Sequence, residues 1–369
     1  MYIYQRQGWP KFTWDSNLIE SKIGNVRNSQ GRLVGKMNAV GFNLRNEASL
    51  TTLTNEIVKS HEIEGEILNT QEVRSSIAVR LGIETVGLVQ PSRSIDGIVE
   101  MMLDATQNYN HPLTKDRLCG WHNCLFPTGR SGMYKILVGN WRDDSLGPMR
   151  VISGQMGKEK IHFQAPDAEI IEREMNLFLE WINSEEAMDS VIKAGIAHFW
   201  FITLHPFDDG NGRIARAITE LLLCRSDNLS QRFYSMSSQI LRERKGYYEI
   251  LESSQKGKLD ITTWLNWFLN ALQNSIKLSE ETLDKILTKH KFWNYHVQVD
   301  FNERQKKVLN KLFDGFEGKL TSSKWAKLNK CSRFTALRDI QDLEDKGILK
   351  KMMGGGRNTN YELIELKNE

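Results

Sequence analysis

Apolar residues recur at helical spacing along most of the chain, which predicts a mainly α fold. In residues 50–69 the side chains of Leu53, Ile57 and Ile67 fall on one face of a predicted helix. The run 191–204 is apolar on every side and is expected to be a central, buried helix. The same periodicity predicts further helices over 73–80, 95–108, 114–126, 171–182, 247–251 and 264–272.

Short alternating segments interrupt this pattern after Pro127. Residues 133–141 and 150–152 are predicted strands on either side of a polar turn at 142–148. Residues 161–164 alternate in the same way, as an edge strand does. A β-hairpin flap is therefore expected within an otherwise helical domain.

After residue 300 the pattern changes to a compact helix–turn–helix unit. A first helix is followed by a short one at 325–328, a turn, and a third helix that starts at Ser332. Residues 348–353 and 361–364 are predicted strands joined by a glycine-rich turn. Together these elements predict a winged helix-turn-helix.

The composition is that of a globular protein: 40% of the 369 residues are hydrophobic and 26% are charged, which excludes disordered and collagen-like classes. The apolar run 194–204 is interrupted by His198 and is shorter than the roughly 20 residues that cross a bilayer. Because the start has no apolar leader, a cytoplasmic protein without membrane contact is expected. The predicted parts are an N-terminal helical region with an inhibitory helix at 1–94, a core domain at 95–275, a linker at 276–300 and the winged helix at 301–369.

The four cysteines form no CxxC pair, so neither a disulfide framework nor a zinc ribbon is indicated. A reducing compartment is therefore expected. Cys119, His122 and Cys124 lack a fourth ligand at suitable spacing, so buried thiols are preferred to a metal site.

Charge is distributed unevenly along the chain. The net charge is +3, but residues 319–357 contain ten basic and four acidic side chains, a local charge of +6. A basic winged helix is typical of DNA binding, although many winged helices bind proteins, so both kinds of partner stay open. The candidate contacts to DNA phosphates are Arg333, Arg338, Lys350, Lys351 and Arg357.

The most informative segment is residues 205–216, which have the sequence HPFDDGNGRIAR. Because proline disfavours helical backbone before it, one helix is predicted to end near His205. Apolar helical spacing resumes at Ile214, so a second helix is predicted to begin at the Gly-Asn-Gly turn. Two glycines and the free N–H groups of a helix N-terminus make this turn a suitable phosphate site.

Charged side chains accompany this turn. Arg213 and Arg216 lie off the apolar stripe of the second helix, so both can contact an anion bound at its first turn. Asp209 would repel phosphates unless Mg²⁺ lies between them, which makes it a candidate metal ligand. His205 is the nearby group that can take a proton near neutral pH.

Residues 205–216 match the pattern HPFx[D/E]GNGRxxR at every defined position, and the chain thereby resembles the Fic family over roughly residues 95–275. The resemblance implies transfer of AMP from ATP to a Ser, Thr or Tyr hydroxyl of a target protein or of the chain itself, with release of pyrophosphate. It implies that His205 is the base for the target hydroxyl and that Asp209 binds Mg²⁺. The ATP-binding residues implied in the same way are Gly210, Asn211, Gly212, Arg213 and Arg216.

The hairpin and a pair of tyrosines also resemble their Fic counterparts. The resemblance implies that Ile161 and Phe163 belong to the flap on which a target docks, although an Ala-Pro pair follows where two prolines are frequent. It also implies that Tyr247 and Tyr248 contact the adenine. An alternative left open is that one of these tyrosines belongs to the core.

A carboxylate lies in the middle of the apolar face of the helix predicted over 50–69. An unpaired buried carboxylate is costly, so Glu64 is expected to meet a cation or to point into a cleft. The adjacent Gly65 destabilises the helix, which suggests either a helix end there or close approach of another surface. The segment from Ser60 to Gly65 resembles the [S/T]xxxE[G/N] inhibitory motif of Fic proteins. That resemblance implies that Glu64 pairs with Arg216 and prevents placement of the ATP γ-phosphate.

Three hypotheses of function follow from these features. The first is an autoinhibited protein adenylyltransferase, with removal of AMP from modified targets as an additional activity. The second is a DNA-binding transcriptional regulator, a homodimer in one form, whose Fic-like core is a nucleotide sensor or dimerisation unit. The presence of His205, Asp209, Asn211 and both arginines favours the first. The third is phosphoryl transfer, as in Fic relatives that act as kinases, but the unaltered Gly-Asn-Gly turn argues for AMP.

Overall fold

The protein is described by a computed structural model that divides into two compact units, Met1–Ser279 and Glu280–Glu369. The described residues are 1–83, 88–145, 147–154, 158, 160–185, 188–313, 316, 318–352 and 359–364. The predicted contact Arg357 and the glycine-rich turn around it therefore lie outside the described residues.

Helices form most of the first unit, which confirms the mainly α prediction. A short 3₁₀ helix at Ile3–Gln5 precedes them. The helices are α1 (Ser16–Ala39), α2 (Phe42–Ile63), α3 (Thr70–Leu81), α4 (Arg93–Gln107), α5 (Lys115–Leu125), α6 (Ala168–Asn183), α7 (Ser190–Leu204), α8 (Asn211–Asp227), α9 (Met236–Arg242), α10 (Arg244–Gln255) and α11 (Thr262–Tyr295). Among the described residues, no helix combines the length and the apolar character that crossing a membrane requires.

The core of the first unit is built around α7 and α8. Every side chain of α7 from Val191 to Leu204 is buried, as its uniformly apolar sequence predicts. Asp189 begins this helix by accepting a hydrogen bond from Val191 N at 2.8 Å. Trp264 of α11 packs against it and donates its indole N–H to Gly195 O at 2.8 Å. The loop that joins α7 to α8 therefore follows directly on a fully buried helix.

The helix predicted over 50–69 ends earlier than expected. α2 ends at Ile63, and Gly65 turns the chain away with φ +85°, a conformation that favours glycine. Ile67, placed on the buried face by the periodicity, is consequently 93% exposed. The helix itself is anchored by Glu56, whose buried carboxylate accepts a hydrogen bond from Ser237 N at 3.0 Å at the start of α9.

The strands of the first unit pair differently from the prediction. They are β1 (Arg130–Ser131), β2 (Tyr134–Lys135), β3 (Arg150–Ser153) and β4 (Lys160–Gln164). The flap is the antiparallel pair β3–β4, whereas the segment 133–141 contributes only the short β2, which pairs with β1. The predicted pairing across 142–148 was wrong because Arg142 is buried there and bonds to backbone carbonyls, which fixes that segment as an irregular connection.

The second unit contains three further helices and a two-stranded antiparallel sheet. They are α12 (Glu303–Phe313), α13 (Ser322–Asn329), α14 (Arg333–Asp345), β5 (Leu349–Lys351) and β6 (Tyr361–Leu363). The buried side chains of Phe292, Trp325 and Leu343 belong to its core. The segment predicted as a linker, 276–300, is helical as far as Tyr295, where α11 ends.

Candidate active site

The loop between α7 and α8 is held in a single conformation by short contacts. His205 ends α7 in the left-handed conformation (φ 50°, ψ 56°), and its N–H donates to Phe201 O at 3.0 Å. Asn211 closes the loop, since its Oδ1 accepts from Phe207 N at 3.0 Å and its Nδ2 donates to Phe207 O at 2.8 Å. Phe207 is fully buried and stacks on His122, with ring centroids 4.2 Å apart. The predicted helix boundaries are confirmed. Both polar atoms of the Asn211 side chain bond to the backbone of Phe207 within the loop.

Two glycines lie where a side chain would collide with neighbouring atoms. Gly210 lies at the N-cap of α8 with φ +78°, and a Cβ there would lie 2.8 Å from Phe126 Cε2. A Cβ at Gly212 would collide with Oε1 of Glu64. The N-terminus of α8 therefore has no room for a side chain at either glycine, and the Glu64 carboxylate lies directly against Gly212.

Arg216 is held by the end of α2. Its Nη2 lies 2.8 Å from Glu64 Oε1 and donates to Ser60 O at 2.8 Å, while its Nε donates to Ser60 Oγ at 2.8 Å. Burial is the largest single effect and opposes the charge of this side chain, which is 2% exposed, but the Glu64 carboxylate together with Tyr247 and Tyr248 outweighs it and raises the pKa of Arg216. Among the described residues, the buried Nη1 has no hydrogen-bond partner. One donor of this guanidinium is therefore available to an anion.

Arg213 is held by a second carboxylate that the sequence analysis did not single out. Its Nη1 lies 2.9 and 2.8 Å from the two oxygens of Glu66, and its Nη2 lies 3.4 Å from Asp209 Oδ1. The guanidinium also lies over the Phe126 ring, 4.9 Å from the centroid. Its buried Nε has no partner within the described part of the chain. The only signal in the sequence was the spacing of Glu64 and Glu66, two carboxylates separated by one glycine.

His205 presents a neutral imidazole to the cavity. Burial lowers its pKa, against the opposing effect of its hydrogen bond to Ile202 O. That bond joins Nδ1 to the carbonyl oxygen at 3.1 Å, so Nδ1 carries the hydrogen and Nε2 keeps a lone pair. Arg142 fixes the backbone beneath it by donating from Nε to His205 O at 2.8 Å and from its N–H to Pro206 O at 2.9 Å. The sequence analysis placed Arg142 in a polar turn and missed this contact.

Asp209 is a partly exposed carboxylate of the loop. Its Oδ2 accepts from Ser131 Oγ, and its Oδ1 accepts from Gly210 N at 2.5 Å. Its backbone carbonyl accepts from His122 Nε2 at 3.2 Å. In the part of the chain that the structure describes, no three His, Cys, Asp or Glu side chains are grouped as metal ligands. A cation at Asp209 would therefore need oxygens from a bound phosphate or from water.

A cavity of about 610 Å³ opens beside the loop. It is lined by the start of α8, by the flap and by α10, and the two tyrosines of α10 differ in their surroundings. Tyr247 is buried, and its hydroxyl lies 2.9 Å from His198 Nε2. Tyr248 is partly exposed, and its hydroxyl donates to Glu64 Oε2 at 3.4 Å. Tyr247 therefore packs in the core, whereas Tyr248 is available at the cavity wall.

Comparison with known protein families identifies the domain that contains this loop. Residues 112–223, which contain the loop, match the Fic/DOC family, and residues 2–83 match a domain of unknown function, DUF4172. The chain therefore contains a Fic/DOC domain at residues 112–223. The resemblance stated for its motif is thereby confirmed.

Relatives of this chain include proteins that are named adenylyltransferases. Protein adenylyltransferase fic-1 from Caenorhabditis briggsae is 29% identical over 167 residues, which cover 44% of this chain and 30% of that protein. Protein adenylyltransferase Fic from Nematostella vectensis is 30% identical over 115 residues, 30% of this chain and 25% of that protein. The chain thus spans less than a third of the length of these relatives.

The fold is shared with a solved structure over nearly the whole chain. A Fic family protein from Desulfovibrio desulfuricans G20 superposes with a TM-score of 0.53 and 19% identity, covering 98% of this chain and 99% of that one. A fragment of Fic-1 from Caenorhabditis elegans has a TM-score of 0.50 and 17% identity over 73% of this chain and 75% of that one. At these identities the likeness establishes the Fic fold.

Of the two docking residues predicted on the flap, one is exposed and one is buried. Ile161 is 45% exposed, whereas Phe163 is 2% exposed beneath Tyr2 and Tyr4 at the N-terminus. The Tyr4 hydroxyl also donates to Gln164 O at 3.1 Å. The N-terminal segment therefore supports the inner side of the flap, and Ile161 remains on the outer side.

The predicted DNA contacts of the second unit are exposed where they are described. Arg333 and Arg338 lie on α14, and Lys350 and Lys351 lie on β5. The same helix also exposes Phe334, at 82%. The N-terminal half of α14 therefore exposes two arginines and an aromatic side chain, while its C-terminal end exposes Asp345 and leaves Glu344 partly exposed.

Proposed function

We propose that this chain is an autoinhibited protein adenylyltransferase, which transfers AMP from ATP to a Ser, Thr or Tyr hydroxyl of a target protein or of itself. The observation that carries the proposal is the hydrogen-bonded loop after α7. It brings a neutral His205, the N-terminus of α8 and Arg213 to one cavity, with Arg216 buried against Glu64. The adenylyltransferase names of the relatives support the same reaction.

The donors around the start of α8 suit a polyphosphate. Nη1 of Arg216 and Nε of Arg213 are buried without partners among the described residues, and phosphate oxygens would satisfy both. The free N–H groups and the dipole of α8 favour the same anion. Asp209 would hold Mg²⁺ against these oxygens, and the ion would neutralise phosphate charge during transfer. Tyr248 is placed to contact the adenine from the cavity wall.

The reacting groups follow from the protonation of His205. Its Nε2 accepts the proton of the target hydroxyl while that oxygen attacks the α-phosphorus of ATP. The new bond joins the hydroxyl oxygen to phosphorus, the bond to the β-phosphate oxygen breaks, and pyrophosphate leaves. Arg142 is a positioning residue, because it holds the backbone of His205 and Pro206 in place.

Autoinhibition is assigned to two carboxylates at the end of α2. Glu64 occupies the space above Gly212 and holds Arg216, so the γ-phosphate cannot take its productive position. Glu66 holds Arg213 through both oxygens. Since both arginines are phosphate ligands in the proposed reaction, each ion pair competes directly with ATP.

The reaction is tested with ATP that carries label at the α- or the γ-phosphate, incubated with the full chain in which Glu64→Gly is introduced. We expect protein-bound label from the α-position and none from the γ-position, because AMP is transferred and pyrophosphate is released. Label from the γ-position alone would show a kinase. Binding of ATP without protein labelling, in the presence of cell lysate as a source of targets, would favour a nucleotide sensor.

We propose a winged helix as the architecture of the second unit and duplex DNA as its partner. The supporting observations are the order of α12, α13, α14, β5 and β6, and the exposure of four basic side chains on α14 and β5. Contacts of this type are made mainly to phosphates, so affinity should fall steeply with salt.

The full chain is expected to shift duplex DNA at low salt. Alanine at Arg333, Arg338, Lys350 and Lys351 together should weaken binding at least tenfold and reduce the salt slope by about 0.9 for each phosphate that is no longer neutralised. Lys245→Ala, which removes an exposed lysine of the first unit, is the matched control. Absence of any shift at low salt would instead assign the exposed surface around Phe334 to a protein partner.

A further inference from the structure

The flap contains a serine–histidine–glutamate chain that the proposed mechanism does not use. Ser153 Oγ lies 2.6 Å from His162 Nε2, and His162 Nδ1 lies 2.5 Å from Glu252 Oε2. Ser153 is on β3, His162 is on β4 and Glu252 is on α10. All three line the same cavity as Gly210 to Arg213.

The direction of the hydrogen bonds in this chain follows from its carboxylate. Hydrogen bonds from Lys256 and then from His162 lower the pKa of Glu252, so it is ionised and accepts. His162 Nδ1 must therefore carry the hydrogen, and in the neutral imidazole Nε2 presents a lone pair to Ser153. The Ser153 hydroxyl consequently donates to His162, the arrangement that activates a serine as a nucleophile.

A β-bulge creates this geometry. Val151 pairs with Phe163 but the next residue, Ile152, pairs with Ile161, so His162 is the extra residue of β4. A bulge redirects the side chain of the extra residue and occurs frequently beside active sites. In a regular ladder His162 would lie diagonal to Ser153, whereas here the imidazole reaches the serine and the glutamate together.

We propose that Ser153 is the chain's own acceptor of AMP, an inference that rests on the proposed adenylyltransferase activity. Ser153 Oγ attacks the α-phosphorus of ATP bound in the shared cavity, and its proton passes to Nε2 of His162. The bond between Oγ and phosphorus forms, the bond from that phosphorus to the β-phosphate oxygen breaks, and pyrophosphate leaves. Glu252 stabilises the imidazolium that results.

The activation of Ser153 is tested first without ATP, using a fluorophosphonate probe on the full chain. Attack by an activated serine forms a bond to phosphorus and expels fluoride, independently of any Fic reaction. We expect peptide mapping to find the probe on Ser153, and His162→Gln to slow its labelling at least tenfold. Glu252→Gln should slow it less, because the imidazole remains. The reference hydroxyl is Ser253, which is exposed on α10 and donates to the carbonyl of Ile250.

Labelling of Ser153 no faster than of Ser253, or unchanged in His162→Gln, would overturn the activation of Ser153. A purely structural link between flap and α10 predicts this outcome, since it requires no nucleophilic hydroxyl. Ser153→Ala removes the site and should abolish the faster labelling, whereas Ser253→Ala should leave it unchanged.

The acceptor role is tested with Glu64→Gly, ATP and Mg²⁺, followed by mapping of AMP-bearing peptides. We expect AMP on Ser153, and its loss from that peptide in His162→Gln. AMP on an added target or on other residues, but never on Ser153, would overturn this inference and leave the adenylyltransferase proposal standing. AMP on no protein would overturn both the acceptor role of Ser153 and the adenylyltransferase proposal. Labelling of Ser153 by the fluorophosphonate probe would then show that the serine is activated even though no AMP is transferred.

Discussion

His205→Ala is expected to lower AMP transfer to target proteins by about 10²–10⁴-fold, because it removes the group that takes the proton from the target hydroxyl. ATP affinity should stay within a factor of a few, since the proposed phosphate ligands lie on α8 and do not include this side chain. The measurement is transfer of α-labelled AMP in the Glu64→Gly background, alongside ATP affinity from calorimetry on the same protein.

The matched control for this substitution is His111→Ala, which removes an exposed imidazole away from the loop. It should leave both transfer and ATP affinity unchanged. Transfer that is undiminished in His205→Ala would remove His205 from the reaction, and a parallel loss of ATP affinity would make it a ligand rather than a base.

Glu64→Gly is expected to raise labelling of the chain and of targets tenfold or more. A charge-assisted pair such as that between Glu64 and Arg216 contributes about 1.5–3 kcal/mol, which the γ-phosphate must otherwise displace. Glu66→Gln should give a smaller rise, because Glu66 is nearly half exposed and its pair with Arg213 is weakened by solvent. The double variant should exceed either single variant. Labelling is measured with α-labelled ATP at matched protein concentrations.

Glu62→Gln is the control for both substitutions, since Glu62 also lies at the end of α2 but pairs with Lys59 at 2.6 Å. Equal labelling of wild type and Glu64→Gly would show that Glu64 does not inhibit. Glu64→Gly combined with Arg216→Ala should lose the gained activity, and labelling that persists would contradict the role of Arg216. If Glu64 also holds the water that removes AMP, Glu64→Gly should lose that reverse activity.

The loop after α7 was largely predictable because its determinants are local. Proline after His205, glycines at 210 and 212 and the return of apolar spacing at Ile214 are read directly from neighbouring residues. The approach of Glu64 to Arg216 was predicted from a resemblance, but the expected geometry was wrong. Glu64 reaches Arg216 from the end of a helix that stops at Ile63, and not from the middle of a helical face.

The parts that escaped prediction depend on residues distant in sequence. Glu66 meets Arg213 across 147 positions, and Arg142 meets His205 across 63, so no local pattern reports either contact. The pairing of β3 with β4 likewise depends on contacts, such as that of Arg142 with His205, that hold the chain before β3 and join residues distant in sequence. Strand partners are chosen by tertiary packing, which short alternating segments do not encode.

The guanidinium of Arg142 forms hydrogen bonds both to the backbone of the proposed base and to the segment that follows the flap. Arg142 donates to the carbonyl of His205 and to the carbonyl of Pro166, which lies two residues beyond β4. The backbone of His205 and the end of β4, on which a target would dock in the proposed reaction, are therefore both held by Arg142. The fold thereby sets the distance between them. In the proposed reaction, the hydroxyl that receives AMP would therefore be determined by its distance along the chain from the segment docked on the flap.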